Sequence, residues 1–246
     1  MKKLLFITIS LLLSTVISCS DDNEDGEDSR FTTDPVLFSA LTGRATVYSN
    51  TDVVATGITM IPNGVYKCAL HEDNLNQDGF EGACVDITCT QTGNTITAVV
   101  VDCLPNTDVL GDGSGKVQKN HIDIMGETAF KALTNATTGI FDISWAIRPL
   151  PTNDPITYYI KDGSNQWFLS IRPQMQKFPI KKLEVKVGNE WIEFPKTTVN
   201  RCYNLYEKQV PDGQTYSAPL NIRVTDIFDN VVEDVINSIK ADTYQK

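Results

Sequence analysis

The sequence predicts a mainly β protein in two parts, a small closed β-barrel followed by a β-sandwich. Three observations predict it. From residue 31 to about 148 the chain is a series of short runs with turn punctuation, and only one of them reads as a helix. "RPLPTNDP", residues 148–155, then places three prolines in eight positions, a stiff break. After it, roughly ninety residues alternate apolar and polar at period two, the pattern of half-buried strands.

In chain order, Lys2 and Lys3 precede "LLFITISLLLSTVIS", 15 residues and too short to span a bilayer comfortably. The run ends in Val16-Ile17-Ser18-Cys19, which resembles a bacterial lipobox. On that reading residues 1–18 are a cleaved signal and Cys19 carries the lipid, a membrane anchor made stable by several acyl chains. Six acids (Asp21, Asp22, Glu24, Asp25, Glu27, Asp28) then fall within eight positions, so residues 19–30 are expected to be a solvated tether. Ser20-Asp21-Asp22 resembles the surface-export signal of Bacteroidetes lipoproteins. The expected location is therefore the outer membrane, facing outward.

Residues 31–148 hold the strand candidates "RATVYS", "VYKCALH", "ACVDITCT", "TITAVVVDC", "HIDIM" and "IFDISWAIR". The helix is "ETAFKAL", stopped by the turn and cap residues of "TNATTG". Six short strands with one helix fit a barrel. Residues 149–153 form the linker. Residues 154–240 carry "ITYYIK", "QWFLSIR", "IKKLEVKV", "EWIEF", "LNIRVTD" and "NVVEDVI", with turns at "DGSN" and "VGN". Even, short strands of this kind fit a sandwich, with no helix beyond a frayed one at "INSIKADTYQK".

The chain carries 31 acidic and 21 basic residues, and setting aside the acidic run and the two leading lysines leaves about −6. That is an ordinary solubility charge and gives no footprint for nucleic acid. A Gly-rich phosphate loop, a Gly-x-Ser-x-Gly elbow and zinc-ligand spacing are all missing, so neither cofactor nor metal is expected. The protein is expected to act as a monomer. Five cysteines follow Cys19, and an odd count leaves at least one thiol unpaired. A hairpin turning at Gly93-Asn94 would bring Cys84 opposite Cys103, with Cys68–Cys89 as the remaining close pair; Cys202 has no assigned partner.

"NHIDIMGETAF", residues 120–130, poses the functional question. Asp123 stands between Ile122 and Ile124, just before a helix. A buried, unpaired carboxylate costs several kcal/mol. Asp123 is there for chemistry or for a tight internal hydrogen bond.

The ordered set "GRATVYS", "CALHEDNLNQDGFEGACVDITC", "VVVDCLP", "HIDIMGETAFKAL", "YYIKDGSNQWFLSIR", "FPIKKLEV", "CYNLY" and "IRVTD" resembles the bacterial expansins from about Gly43 to Val235. The resemblance implies a six-stranded double-psi β-barrel followed by an immunoglobulin-like sandwich, the family-63 carbohydrate-binding module. It implies a protein that binds cellulose and matrix glucans and loosens contacts between chains without cutting them. Asp123 matches the groove aspartate. In family-45 glycoside hydrolases, which share the barrel, that carboxylate is the general acid. Inversion needs a second carboxylate as base, roughly 6.5–9.5 Å away. Asn50 stands where that base should be, with Asp52 two residues on, and an amide cannot take the proton. Thr46, Tyr48 and Asp102 match the rest of the groove, while Leu104 replaces a frequent tyrosine. In the second domain Trp167, Phe168 and Tyr203 match the family's sugar-stacking aromatics, and Lys161 a lysine of the same surface. Trp145 and Trp191 read as core or edge residues.

A second resemblance competes. Rare lipoprotein A, a lytic transglycosylase or peptidoglycan-binding relative of the barrel, pairs the aspartate with a histidine at the position of His71. On that reading Asp123 and His71 act on peptidoglycan as acid and base. A surface adhesin that only docks on glycans is the third class.

Overall fold

The computed structural model describes residues 39–49, 54–107, 115–197 and 205–245. The first part runs β1 (Leu41–Tyr48), β2 (Tyr66–His71), α1 (Glu72–Asn76), β3 (Cys84–Cys89), β4 (Thr95–Leu104), β5 (Ile122–Met125), α2 (Glu127–Thr134) and β6 (Phe141–Arg148). Its strands close into the six-stranded barrel that was expected, in the order β1-β5-β2-β4-β3-β6. β1 runs parallel to β5 and β2 parallel to β4, while the remaining neighbours are antiparallel.

Alternation decides what fills the barrel. Ala45, Cys68, Leu70, Val85, Ile87, Ile96, Ala98, Val100, Ile122, Ile124, Ile143, Trp145 and Ile147 form one buried cluster. The run "AVVV" at 98–101 is buried on both faces, as continuous apolar strands are. Ala98 and Val100 fill the barrel. Val99 and Val101 face outward, into a cluster with Ile58, Cys84, Met125, Leu150 and Met175. α2 packs Ala129, Phe130 and Leu133 on the barrel and ends at Asn135, whose left-handed backbone (φ 60°) donates to the Lys131 carbonyl.

The second part contains β7 (Thr157–Ile160), β8 (Phe168–Gln174), β9 (Ile180–Val187), β10 (Glu190–Phe194), β11 (Lys196–Thr197), β12 (Leu205–Gln209), β13 (Leu220–Asp226), β14 (Val231–Ile236) and β15 (Thr243–Gln245). They make a four-stranded sheet, β10-β9-β13-β14, and a five-stranded sheet, β11-β12-β8-β7-β15. One core lies between them, including Tyr158, Leu169, Ile171, Leu183, Val185, Ile222 and Val224.

Four expectations need correction. Residues 241–245 hold strand β15 paired to β7, beyond residue 240 and in place of the frayed helix. A second helix, α1, follows β2 because the buried His71 caps it, its Nδ1 accepting from the Asp73 N–H at 3.2 Å. Cys68, Cys84 and Cys89 are free thiols. The hairpin register pairs Cys84 with Val99, so Cys103 falls four residues past it and neither proposed bridge forms. Cys103 is itself disulfide-bonded, and Cys202 lies outside the described residues. The linker expected at 149–153 packs against both parts. Leu150 is buried and its N–H donates to the Lys177 carbonyl at 2.9 Å.

The two parts meet along a seam of hydrogen bonds, an ion pair and aromatic packing. Gln174 Oε1 accepts from the N–H groups of Thr59 (3.0 Å) and Met60 (2.9 Å), and Arg172 donates to the Gly57 carbonyl at 3.2 Å. Gly57 has φ +66°, and a Cβ there would sit 2.3 Å from the Arg172 guanidinium carbon. Lys196 pairs with the buried Glu81 at 2.6 Å. Phe178 joins the barrel's core cluster and stacks edge-on against Phe228, 4.7 Å between centroids.

Candidate functional site

Strand register lays out the groove. Thr46 of β1 is level with Asp123 of β5, Asp123 with Ala69 of β2, and Ala69 with Asp102 of β4. The row Thr46–Asp123–Ala69–Asp102 therefore crosses four strands, on the side opposite the core residues Ile122 and Ile124. That answers why Asp123 sits between two isoleucines: the neighbours fill the barrel and the carboxylate faces out. The methyl of Ala69 leaves the space between the two carboxylates low. Tyr48, 36% exposed, lies two residues along from Thr46, level with Met125.

Asp123 is not unpaired. The Thr46 hydroxyl donates to its Oδ1, and His121 Nε2 lies 2.8 Å from the same hydroxyl oxygen and 3.7 Å from Asp123 Oδ1. A hydroxyl has one proton. If it goes to the carboxylate, His121 Nε2 must carry the hydrogen that Thr46 accepts. The chain reads His121 to Thr46 to Asp123.

His121 is held by its preceding turn. Asn120 has φ 71°, its amide side chain and N–H are both bonded to Asn74 of α1, and its carbonyl accepts from Trp145 Nε1. Gly43 permits this turn, because a Cβ there would sit 2.0 Å from the Asn120 carbonyl oxygen.

Asp102 is nearly buried, with Oδ1 accepting from the N–H groups of Cys103 (2.9 Å) and Ala55 (3.0 Å). Burial pushes its carboxyl above the ordinary range against the pull of those N–H groups, and the charge of Asp123 pushes the same way. One step beyond the Leu70–Ile122 pair, the His71 N–H donates to the His121 carbonyl at 3.1 Å. Burial holds its imidazole below the ordinary value, against the pull of Asp73 and Glu72. With Nδ1 capping α1, it is His121 that the structure couples to Asp123. Leu104 is buried against Ala69 and Val117 and offers no ring to the groove. Asn50 and Asp52 lie outside the described residues, as do Cys19 and Tyr203.

On the second domain Trp167 sits in the tight turn Asn165–Phe168, where Asn165 Oδ1 accepts from the N–H groups of Trp167 and Phe168. Trp167 is 55% exposed. Phe168 opens β8 on the outward side, two residues before Ser170 and opposite in sense to the core residues Leu169 and Ile171. Lys161 follows β7, its Nζ 3.6 Å from Glu207, which also accepts from Ser170. Trp145 is core and Trp191 lies on edge strand β10.

No family model matches the chain. It is 27% identical to Expansin-YoaJ of Bacillus subtilis (strain 168) over 177 residues, 72% of this chain and 68% of that protein. The crystal structure of the apo expansin of Clavibacter michiganensis superposes with a TM-score of 0.67 at 21% identity, covering 85% of this chain and 96% of that one. An aspartate-to-asparagine mutant of that expansin, solved in complex with cellohexaose, superposes at 0.64 with the same identity and coverage.

The chain is expansin-like in sequence and in fold.

Sequence reasoning missed His121 in this expansin-like groove. The signal was present: the chain has two histidines, and His121 is two residues from Asp123 and so on its face at period two. Asn120 and Asn74 carried no comparable signal, because the two residues meet only in the fold.

Proposed function

We propose that this protein binds cellulose-like β-glucan and loosens noncovalent contacts between polysaccharide chains without hydrolysing them. It does so as a monomer, at the outer surface of a bacterial outer membrane and anchored through Cys19. The observation that carries the reading is an open track. The row Thr46–Asp123–Ala69–Asp102 lies along one side of the barrel sheet, and loop 54–60 leads from it to the sheet of the second domain. Ala55 of that loop bonds Asp102 while Thr59 and Met60 bond Gln174 of β8. Glucose rings offer apolar faces to Trp167 and Phe168 and hydroxyl edges to Lys161, Asp102 and Asp123. The complex of the related expansin with cellohexaose supports the ligand class. The sequence around Cys19 supports the anchor.

One observation favours a second reading, glycan cleavage of the lytic type. The His121–Thr46–Asp123 chain joins an imidazole to a carboxyl through one hydroxyl, a route for a proton. On that reading His121 serves where His71 was expected to.

One experiment separates the two. Wild type and Asp123→Asn are incubated with cellulose and with peptidoglycan sacculi, and pull-down, paper weakening and released sugars are measured. Wild type should weaken paper and release no reducing ends, and the variant should keep pull-down and lose weakening. Release of sugar that disappears in Asp123→Asn would establish an enzyme.

A further inference from the structure

The outward side of the five-stranded sheet carries a second aromatic group that the matched binding residues do not include. Tyr244 of β15 is level with Tyr159 of β7, and Tyr159 with Arg172 of β8. The two rings lie 5.0 Å apart at 41°, and the Arg172 guanidinium carbon is 5.4 Å from the Tyr159 ring centre. Tyr159 is thus flanked on both sides, and its hydroxyl is tied to Asp242 at 2.8 Å. Tyr244 is left with 50% of its surface open.

Position gives this group its meaning. Along β8, Phe168, Ser170, Arg172 and Gln174 share one side. Four residues separate Phe168 from Arg172, about 13 Å at strand rise. The polar row Lys161–Ser170–Glu207 lies between them. Beyond Arg172, Gln174 meets the barrel loop, and the Tyr244 hydroxyl comes 3.5 Å from Thr59 Oγ1 of that loop. Tyr244 therefore stands between the Trp167–Phe168 end of the sheet and the loop that borders the groove.

We propose that Tyr244, supported by Tyr159 and Arg172, is an additional stacking subsite for a single β-linked glucan chain at the junction of sheet and barrel. This rests on the glucan-binding reading above. An open tyrosine ring with a hydroxyl suits a pyranose, whose axial C–H bonds cover the ring while its edge hydroxyls reach polar neighbours. Here those neighbours are Thr59 and the Lys161 row. The occupant is one chain and not a flat crystal face. Only the Tyr244 ring is open, and it stands on edge strand β15 beside Thr59 of the barrel loop, a footprint for one chain and too small for a sheet of them.

The test titrates the full protein with soluble cello-oligosaccharides of increasing length, comparing wild type, Tyr244→Ala, Tyr244→Phe and Trp167→Ala. Wild-type affinity should climb once the oligosaccharide is long enough to reach from Phe168 to the junction. Tyr244→Ala should lose that climb, about tenfold for the longest ligand, and match wild type on the shortest. Tyr244→Phe should keep most of it, because the ring and not the hydroxyl does the stacking. Binding to crystalline cellulose should change less than binding to soluble chains. If Tyr244→Ala binds every length as wild type does, whether or not it melts lower, the subsite is refuted while cellulose binding lost in Trp167→Ala keeps the parent reading. If wild type binds neither oligosaccharide nor cellulose, both are refuted.

Discussion

The two outward faces of the sandwich each carry a tryptophan, and they treat it in opposite ways. On the four-stranded face Trp191 lies under Arg223, whose guanidinium carbon is 4.4 Å from the ring centre, with Lys186 Nζ at 5.8 Å. Arg223 makes paired bonds of 2.8 and 2.9 Å to the buried Glu184, which Lys182 also meets at 3.0 Å. On the five-stranded face Trp167 projects from a turn and is 55% exposed. Both rings are equally apolar. What differs is whether the sheet's own cations already occupy the ring face, since a cation over a π-system takes the place a ligand would need. The first face covers its tryptophan with its own cations, whereas the second places its ring-bound cation, Arg172, over Tyr159 and leaves Trp167 and Tyr244 open.

The largest test of this contrast is a pair of alanine variants. Trp167→Ala should weaken cellulose pull-down at least tenfold, since stacking buries about 100 Å² of apolar ring at ~25 cal/mol/Å², with unchanged circular dichroism. Trp191→Ala should leave pull-down within about twofold and lower the melting temperature. Equal losses of binding from both would erase the distinction between the faces.

Arg223→Ala probes the closed face alone. It strands Glu184 without its bidentate partner, and should cost about 1–2 kcal/mol, less than a fully buried pair because Arg223 is partly exposed. Arg223, with Lys182, holds the Glu184 carboxyl below its ordinary value of 4.5. A carboxyl depressed in the folded state stabilises above its unfolded pKa, and that stabilisation is lost as pH falls through the folded one. Wild type should therefore lose stability below about pH 4.5 more steeply than Arg223→Ala, as thermal melts across pH 3–7 would show. Cellulose pull-down by the variant at pH 7 should be unchanged.

The smallest effect belongs to Lys161→Ala. Its cation is shared with Glu207, so removing it should cost one hydrogen bond to sugar at most, about threefold. Moderate salt should change wild-type pull-down equally little, because stacking is not ionic. A strong salt dependence would mean that charges of this face, and not its rings, hold the glucan.

These contrasts were legible in the sequence to different depths. Period-two runs such as "HIDIM" disclose both the strand and the side on which Asp123 stands, because a carboxylate between two isoleucines can only face away from the core they fill. The same rule would have placed His121 beside it. Register across strands is another matter. Cys84 meets Val99 and not Cys103 because the turn geometry of residues 90–94 sets the offset, and counting from Gly93-Asn94 missed it by four residues. The lid on Trp191 was equally hidden: Arg223 comes from a strand more than thirty residues away. Tyr159 and Tyr244 are 85 residues apart in sequence, and nothing local announces β15, a three-residue strand that exists only because β7 offers an unpaired edge.

Leu150, Met175 and Phe178 give the proline-rich junction an unexpected character for protein engineering. Leu150 and Met175 lie in the cluster that covers the outer side of β4, and Phe178 belongs to the barrel core. Gln176 fills the space beside Gly82 so closely that a Cβ there would lie 2.5 Å from its amide nitrogen. A domain swapped as a cassette is cut at its linker and spliced behind a new partner. This one does not have a cassette boundary at residues 149–153. A chimera that keeps the barrel must also keep the stretch from Leu150 to Phe178 that roofs it, and a donor module must be grafted onto that roof and not onto the prolines.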